Sequence, residues 1–100
     1  MSAADQAVYL GAAEAARRIA RGELSAQGLA EAALARATAH EPKLHAWAHL
    51  SPDAVIKQAR LLDAQTKPKG LLHGVPVAVK DIIDTADMPS RYGSPIYAQH

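Results

Sequence analysis

The chain has 100 residues, a net charge of +1 at pH 7 and no cysteine. This length allows one small domain, the charge gives no electrostatic reason to expect nucleic acid or an anionic membrane as a partner, and the missing thiols exclude disulfides and cysteine–zinc sites. The hydrophobic share of 49% includes 23 alanines and no phenylalanine, so we expect a thin core that depends on helix packing.

The first half of the chain is predicted to form two helices. Apolar residues recur at helical spacing from Ala4 to Arg21, and Gly22 is placed to end that helix as a left-handed cap. Ser25 has the position of an N-cap for a second helix over 25–39, with Pro42 beyond its end. The arginines near the end of the first helix are expected to compensate the helix dipole rather than to form a ligand site.

The next segment is predicted to hold a short strand and a third helix. Apolar and other residues alternate over 44–49, which is typical of a half-buried strand. Ser51 and Pro52 then provide a cap followed by proline at the first helical position. The third helix is therefore expected over 52–65.

The most informative residues follow this helix. A run of alternating apolar residues is predicted to form a strand over 75–80, and Lys80 ends it. Burial disfavours the charged form of lysine, and a neutral lysine can act as a general base. From the pattern alone, a lysine whose ammonium is solvated where the strand leaves the core is the favoured interpretation, because lysines are almost never fully buried.

Two other groups of residues have spacings that a metal site could use. His45 and His49 are four residues apart, and Asp81, Asp84 and Asp87 are spaced by three. The histidine segment alternates like a strand and has no third ligand nearby, and aspartates in loops commonly bond backbone amides of turns and caps. We therefore expect no metal at either place.

Residues 72–81 read Leu-His-Gly-Val-Pro-Val-Ala-Val-Lys-Asp, and this string resembles the lysine motif of the amidase signature family. The resemblance continues over 82–89 and 92–97, so that it covers about a quarter of the chain. The alanine-rich helices upstream match the family more loosely. The motif is specific because a glycine, a proline and a lysine are fixed within one apolar run.

The resemblance implies a hydrolase of carboxylic amides that uses a serine nucleophile, a second serine with a cis peptide bond, and a lysine base. Lys80 matches the family's lysine, and substrate-binding residues stay unassigned. The family's Gly/Ser-rich loop, which carries the serines, has no counterpart here, because the six glycines include no adjacent pair. We therefore expect the chain alone to be inactive, with Lys80 exposed until further residues bury it. The serines that lack the required context are Ser2, Ser25, Ser51, Ser90 and Ser94.

These interpretations predict an α/β fold, with N-terminal alanine-rich helices and the first strands of an amidase-signature mixed sheet, incomplete in this chain. Residues 1–100 are expected to be an N-terminal fragment of an amidase domain. Within it, 1–70 would be helical apart from one short strand, and 71–100 would form the lysine-motif strand and the following loop. The alternatives are a non-catalytic helical binding module and a truncated relic.

A small amide is the substrate expected of the complete enzyme, without a cofactor. Ile82 stands where the tRNA-dependent transamidating members of the family usually have asparagine, which favours a general small-amide hydrolase. The first residues lack the parts of a secretory signal, and no run approaches the ~20 apolar residues of a membrane span, so a cytoplasmic protein is expected. Neither nucleic acid nor a membrane is expected as a partner, whereas self-association or a companion chain would cover the apolar strand.

Overall fold

The computed structural model describes residues 3–90 and residue 96. The helix α3 (Ala26–Leu44) is central, because both α1 (Ala3–Ala7) and α4 (Pro52–Asp63) pack against it. From 64 to 90 the chain runs through turns and irregular segments. None of the described helices is long and apolar enough to cross a membrane. The helices are α1 (Ala3–Ala7), α2 (Ala12–Ala20), α3 (Ala26–Leu44) and α4 (Pro52–Asp63).

The predicted α/β class is wrong for the described part of the chain. About half of these residues are helical and none lies in a strand, so neither the strand predicted over 44–49 nor the one over 75–80 is seen. A strand depends on ladder hydrogen bonds to a neighbour, and the amides of Val77 and Val79 have no backbone partner among the described residues. Alternating apolar residues therefore do not make a strand without a second segment to pair with.

The start of the segment predicted as the first strand, 44–49, is instead the end of a helix. α3 continues two residues beyond Pro42, and His45 then ends it in the left-handed conformation with φ 47°. The carboxylate of Glu41 accepts hydrogen bonds from the amides of Ala46 and Trp47, the second at 3.0 Å. Because a side chain already binds these two amides, they are not free to join a sheet.

The helix predicted from Ala4 to Arg21 is divided into α1 and α2. Gly11 precedes α2 in an extended conformation, and the amides of Tyr9 and Leu10 bond carbonyls only three residues back. Glycine in a helix interior is about 1 kcal/mol less favourable than alanine, which favours a break here. The break places Tyr9 against Arg36, whose guanidinium lies 4.9 Å from the ring centroid and donates to the phenol oxygen at 2.7 Å.

The end of α2 agrees with its prediction. Gly22 is left-handed with φ 76°, and the amide of Glu23 bonds the carbonyl of Arg18 at 2.9 Å, as in a Schellman cap. The Glu14 carboxylate accepts from Arg17 at 2.8 Å and from Arg18 at 3.2 Å, and these bonds hold the pKa of Glu14 below its usual value. These two arginines therefore pair within their own helix.

The core is thin, as the composition predicts. Among the described residues, seven of the nine buried apolar side chains are alanine, and the other two are Leu24 and Leu29. One cluster, around these two leucines, joins α1 and α2 to the start of α3. A second cluster joins α3 to α4 through Ala59, with Val55 and Leu62 beside it. Alanine permits close helix packing but buries little area per residue.

The start of α3 is capped from two directions. Ser25 is the N-cap, as predicted, and its hydroxyl accepts from the amide of Gly28 at 2.9 Å. Asp63, the last residue of α4, adds a carboxylate that accepts from the amides of Ala26 at 2.7 Å and Gln27 at 2.9 Å. Amides at a helix start have no partner within the helix, so Asp63 both satisfies two of them and joins α4 to α3.

Asp63→Ala is expected to lower the free energy of unfolding by about 1–2 kcal/mol, because it leaves two helix amides without their acceptor. Urea unfolding followed by far-UV circular dichroism measures this loss. Asp53→Ala is the matched control, since Asp53 lies in the first turn of α4 and bonds no amide of another helix among the described residues. Its loss should stay near the dipole contribution of about 0.3–1 kcal/mol, and equal losses in the two variants would contradict the cap.

Candidate active site

The lysine motif begins with a histidine that is bound to the helical part of the chain. His73 is half-buried; its Nδ1 accepts from the amide of Lys69 at 3.1 Å, and its Nε2 lies 2.9 Å from the carbonyl oxygen of Leu62. A ring nitrogen that accepts from an amide carries no proton, so these contacts assign the proton to Nε2, which donates to Leu62. The ring thereby joins the loop before the motif to the last turn of α4.

The glycine of the motif occupies a position that a larger residue could not take without strain. Gly74 is buried and has φ +87°. A Cβ added to it would lie 3.1 Å from both the Cβ of Ala26 and the Cδ1 of Ile19. The next residue, Val75, packs against the cluster around Leu24 and Leu29. Residues 73–75 therefore form the attachment of the lysine segment to the helices.

Beyond this attachment the residues of the motif are exposed to solvent. Residues 76–80 are all exposed, including 76% of Val77 and 41% of Val79. The Lys80 side chain is exposed as well, which agrees with the expectation for the chain by itself. The structure thus presents Lys80 on an exposed segment rather than in a closed pocket.

The residues after Lys80 form a loop that is bonded to itself. The amide of Ile83 bonds the carbonyl of Lys80 at 3.0 Å. The hydroxyl of Ser90, which is only 3% exposed, donates to the carbonyl of Ile83 at 2.8 Å, and Thr85 donates to the carbonyl of Met88 at 3.2 Å. The backbone on the C-terminal side of Lys80 is therefore held in a turn.

The described serines have structural surroundings. Ser25 caps α3, Ser51 precedes α4 as its N-cap residue, and Ser90 donates to a loop carbonyl. Ser2 and Ser94 lie outside the described residues. Consequently, none of the three described serines is assigned as the nucleophile that a lysine base would serve.

The described residues bring together no group of three or more histidine, aspartate or glutamate side chains that could hold a metal ion. His45 ends α3 in the left-handed conformation, and the Asp87 carboxylate accepts from the side-chain amide of Gln58 at 3.4 Å. His45 thus takes part in a helix end and Asp87 in a hydrogen bond to α4, rather than in a cluster of metal-binding side chains.

The sequence alone predicts no role for His73 or Asp63. His73 binds the carbonyl of Leu62 at the end of α4, 11 residues away in the chain. Asp63 binds amides at the start of α3, up to 37 residues away. The one signal for His73 was its place directly before the motif glycine. The packing of α4 against α3 brings Asp63 to its partners, whereas His73 reaches Leu62 through the loop that follows α4.

Comparison with known proteins shows where similar sequences occur. The family model described as Amidase matches residues 28–100, which include the whole lysine motif. The glutamyl-tRNA(Gln) amidotransferase A subunit of Salinispora arenicola is 44% identical over 92 residues, which are 89% of this chain and 19% of that protein. The protein of the same name from Solidesulfovibrio magneticus is 48% identical over 80 residues, 79% of this chain and 16% of that protein. The chain thus spans about a fifth of the length of such relatives, and no solved structure matches it.

Proposed function

Because the chain belongs to the amidase family, we propose that it supplies the lysine-bearing part, at the N-terminal end, of an enzyme that cleaves carboxylic amide C–N bonds. One observation carries the proposal: the lysine motif lies inside the matched region, with residues 73–75 attached to the helices and Lys80 presented beyond them. A rigid attachment with a projecting lysine suits a residue that has to meet groups from elsewhere.

In the proposed reaction, the neutral amine of Lys80 accepts a proton from a serine hydroxyl. That serine takes the proton of a second, nucleophilic serine, whose oxygen attacks the amide carbonyl carbon. The C–N bond breaks as the proton passes to the leaving amine, and water then hydrolyses the acyl-serine. Both serines and the donors that stabilise the oxyanion would come from residues outside this chain.

The surface around Lys80 supports a covering segment of this kind. Val77 is 76% exposed and Ile83 is 54% exposed, and the amides of Val77 and Val79 have no backbone partner in the described part of the chain. Apolar patches and unpaired extended backbone are surfaces that other polypeptide covers. A covering segment would also remove water from Lys80, which favours its neutral form.

Two reactions are compatible with this step, and in both of them water takes the acyl group from the serine. Ile82 favours a small amide as the substrate, with the amine released into solvent, as in general small-amide hydrolases of the family. The names of the relatives favour a second candidate, an A-type chain that works with a companion chain on glutamyl-tRNA(Gln). Both candidates share the cleavage of an amide C–N bond, so Lys80 has the same proposed role in each.

The chain alone is expected to have no amide hydrolase activity, because it offers no assigned nucleophile or oxyanion site. Purified residues 1–100, incubated with a panel of aryl amides, should release arylamine only at the background rate measured without protein. Turnover that is lost on treatment with a serine-directed acylating reagent would show that a serine of this chain had been overlooked.

A graft tests the proposed function directly. Residues 1–100 would replace the matching segment of the Salinispora arenicola relative, and release of ammonia from free amides would be compared with release in the presence of glutamyl-tRNA(Gln). Activity in the soluble, folded graft is the expected result, and stimulation by glutamyl-tRNA(Gln) would favour the second candidate. A folded graft that is inactive with both would favour a non-catalytic binding module.

A further inference from the structure

We propose that His73 is a positioning residue for Lys80, a role that rests on the proposed function. Its ring binds the amide of Lys69 and the carbonyl of Leu62 at the same time, and so fixes where the lysine segment leaves the helices. No part of the lysine mechanism above uses His73, although it stands within the motif.

The contacts at residues 73–75 leave no room for the segment to slide. A shift of one residue toward the C-terminus would bring a side chain to the position of Gly74, where a Cβ meets Ala26 and Ile19 at 3.1 Å. The same shift would withdraw Val75 from its cluster and would separate the imidazole from both of its partners. Glycine, valine and histidine each oppose the shift for a different physical reason.

The position fixed at Gly74 limits where Lys80 can lie. Lys80 follows Gly74 by six residues, which span about 20 Å when extended. Between Val75 and Lys80 no backbone hydrogen bond among the described residues ties the segment to the helices. The attachment at 73–75 therefore fixes the point from which the segment that bears Lys80 departs, and the bond from Gln58 to Asp87 holds the loop beyond it.

Histidine suits this position because its two ring nitrogens reach two backbone groups of opposite kind. The carbonyl of Leu62 belongs to the last turn of α4, where carbonyls lack partners within the helix, and it needs a donor. The amide of Lys69 needs an acceptor. Only a ring protonated at Nε2 and bare at Nδ1 satisfies both groups.

The test uses the graft that carries residues 1–100, with competent sites counted by a stoichiometric serine-directed acylating reagent. His73→Ala is expected to lower kcat per titrated site by about 10²-fold, since a displacement of about 1 Å at a catalytic group costs that much. KM should change little, because the substrate contacts are not touched. A loss of folded protein alone would lower the number of titrated sites and leave kcat per site unchanged.

Two conservative variants separate the contacts and remain informative if His73→Ala does not fold. His73→Gln keeps a donor near the Nε2 position for Leu62, and His73→Asn keeps an acceptor near the Nδ1 position for Lys69. Each should restore part of the kcat that alanine loses. His40→Ala, at an exposed histidine of α3, is the matched control and should leave kcat unchanged.

The outcomes distinguish this inference from the proposed function. If Lys80→Ala abolishes turnover while His73→Ala, Gln and Asn all leave kcat per site unchanged, the positioning role is overturned and the proposed function stands. If Lys80→Ala leaves turnover intact, the proposed function is overturned, and the positioning role with it. A ¹⁵N-labelled sample of residues 1–100 gives an independent readout, since long-range ¹H–¹⁵N correlations should show His73 protonated at Nε2; an Nδ1–H tautomer would also overturn the inference.

Discussion

Lys80→Ala is expected to abolish amide cleavage by the graft that carries this chain, because the serine relay then has no proton acceptor. A positioned general base contributes about 10²–10⁴-fold to the rate, and members of one relay act as a unit, so we expect kcat to fall by at least about 10³-fold. Arylamine or ammonia release, normalised to the folded protein, measures the loss.

Lys80→Arg distinguishes a base from a mere positive charge. Arginine keeps the cation and cannot be deprotonated in a protein, so it should be as inactive as alanine if Lys80 accepts a proton. Lys67→Ala, at an exposed lysine of the preceding loop, is the control and should keep full activity. Substantial turnover by Lys80→Arg would show that the charge matters and that proton transfer does not.

Lys80→Ala should hardly affect folding. Lys80 is exposed, and exposed substitutions away from special features usually change the free energy of unfolding by no more than about 0.5 kcal/mol. Urea unfolding of residues 1–100 with and without Lys80→Ala checks this. A large loss of stability would mean that Lys80 has a structural role, and the activity result would need that correction.

Gly74→Ala is expected to have the largest effect on stability in this chain. The left-handed backbone costs a residue with a Cβ about 1–2 kcal/mol, and forcing a methyl group against packed neighbours costs about 1–3 kcal/mol more. The free energy of unfolding of residues 1–100 should therefore fall by about 2–5 kcal/mol. Urea unfolding measures the loss, and a variant that is unfolded without urea would agree with the prediction.

Two other glycines separate strain from crowding. Gly22 has φ +76° with nothing within 4 Å of an added Cβ, so Gly22→Ala reports the backbone strain alone. Gly11 has neither the positive φ nor the contacts; it is the N-cap of α2, where glycine is preferred to alanine, so Gly11→Ala should lower the free energy of unfolding by no more than about 1 kcal/mol. If Gly74→Ala were no worse than Gly22→Ala, Ile19 and Ala26 would have moved aside and the attachment at residues 73–75 would be softer than the structure indicates.

Several features of the fold could be predicted from the sequence because their causes are local. The left-handed cap at Gly22 and the N-cap at Ser25 depend on residues within one helical turn of each other. The start of α4 at Pro52, directly after Ser51, has the same local origin. The motif around Lys80 is likewise contiguous in the chain, which is why its residues alone indicate the family.

At two other places the local sequence rules favour different helix boundaries, and tertiary contacts decide between them. Pro42 was expected to stand beyond the second helix, yet the helix runs through it and ends at His45, with the Glu41 carboxylate bound to the amides that follow. The helix predicted across Gly11 is divided at that residue, where Tyr9 packs against Arg36 of α3. Propensity alone does not rank a broken helix against a continuous one when side chains from a distant helix favour the break.

The sequence by itself determined the caps at Gly22 and Ser25, the alanine-rich core and the identity of the lysine motif, because each depends on residue type and short spacing. Tertiary structure alone decided that 75–80 forms no strand ladder with another segment of the described chain, since a strand exists only with a hydrogen-bonding neighbour. It also decided that Asp63 caps α3 and that His73 binds the end of α4. Those partners are distant in the chain: the packing of α4 against α3 brings Asp63 to the amides of α3, and the loop after α4 folds back to bring His73 to Leu62.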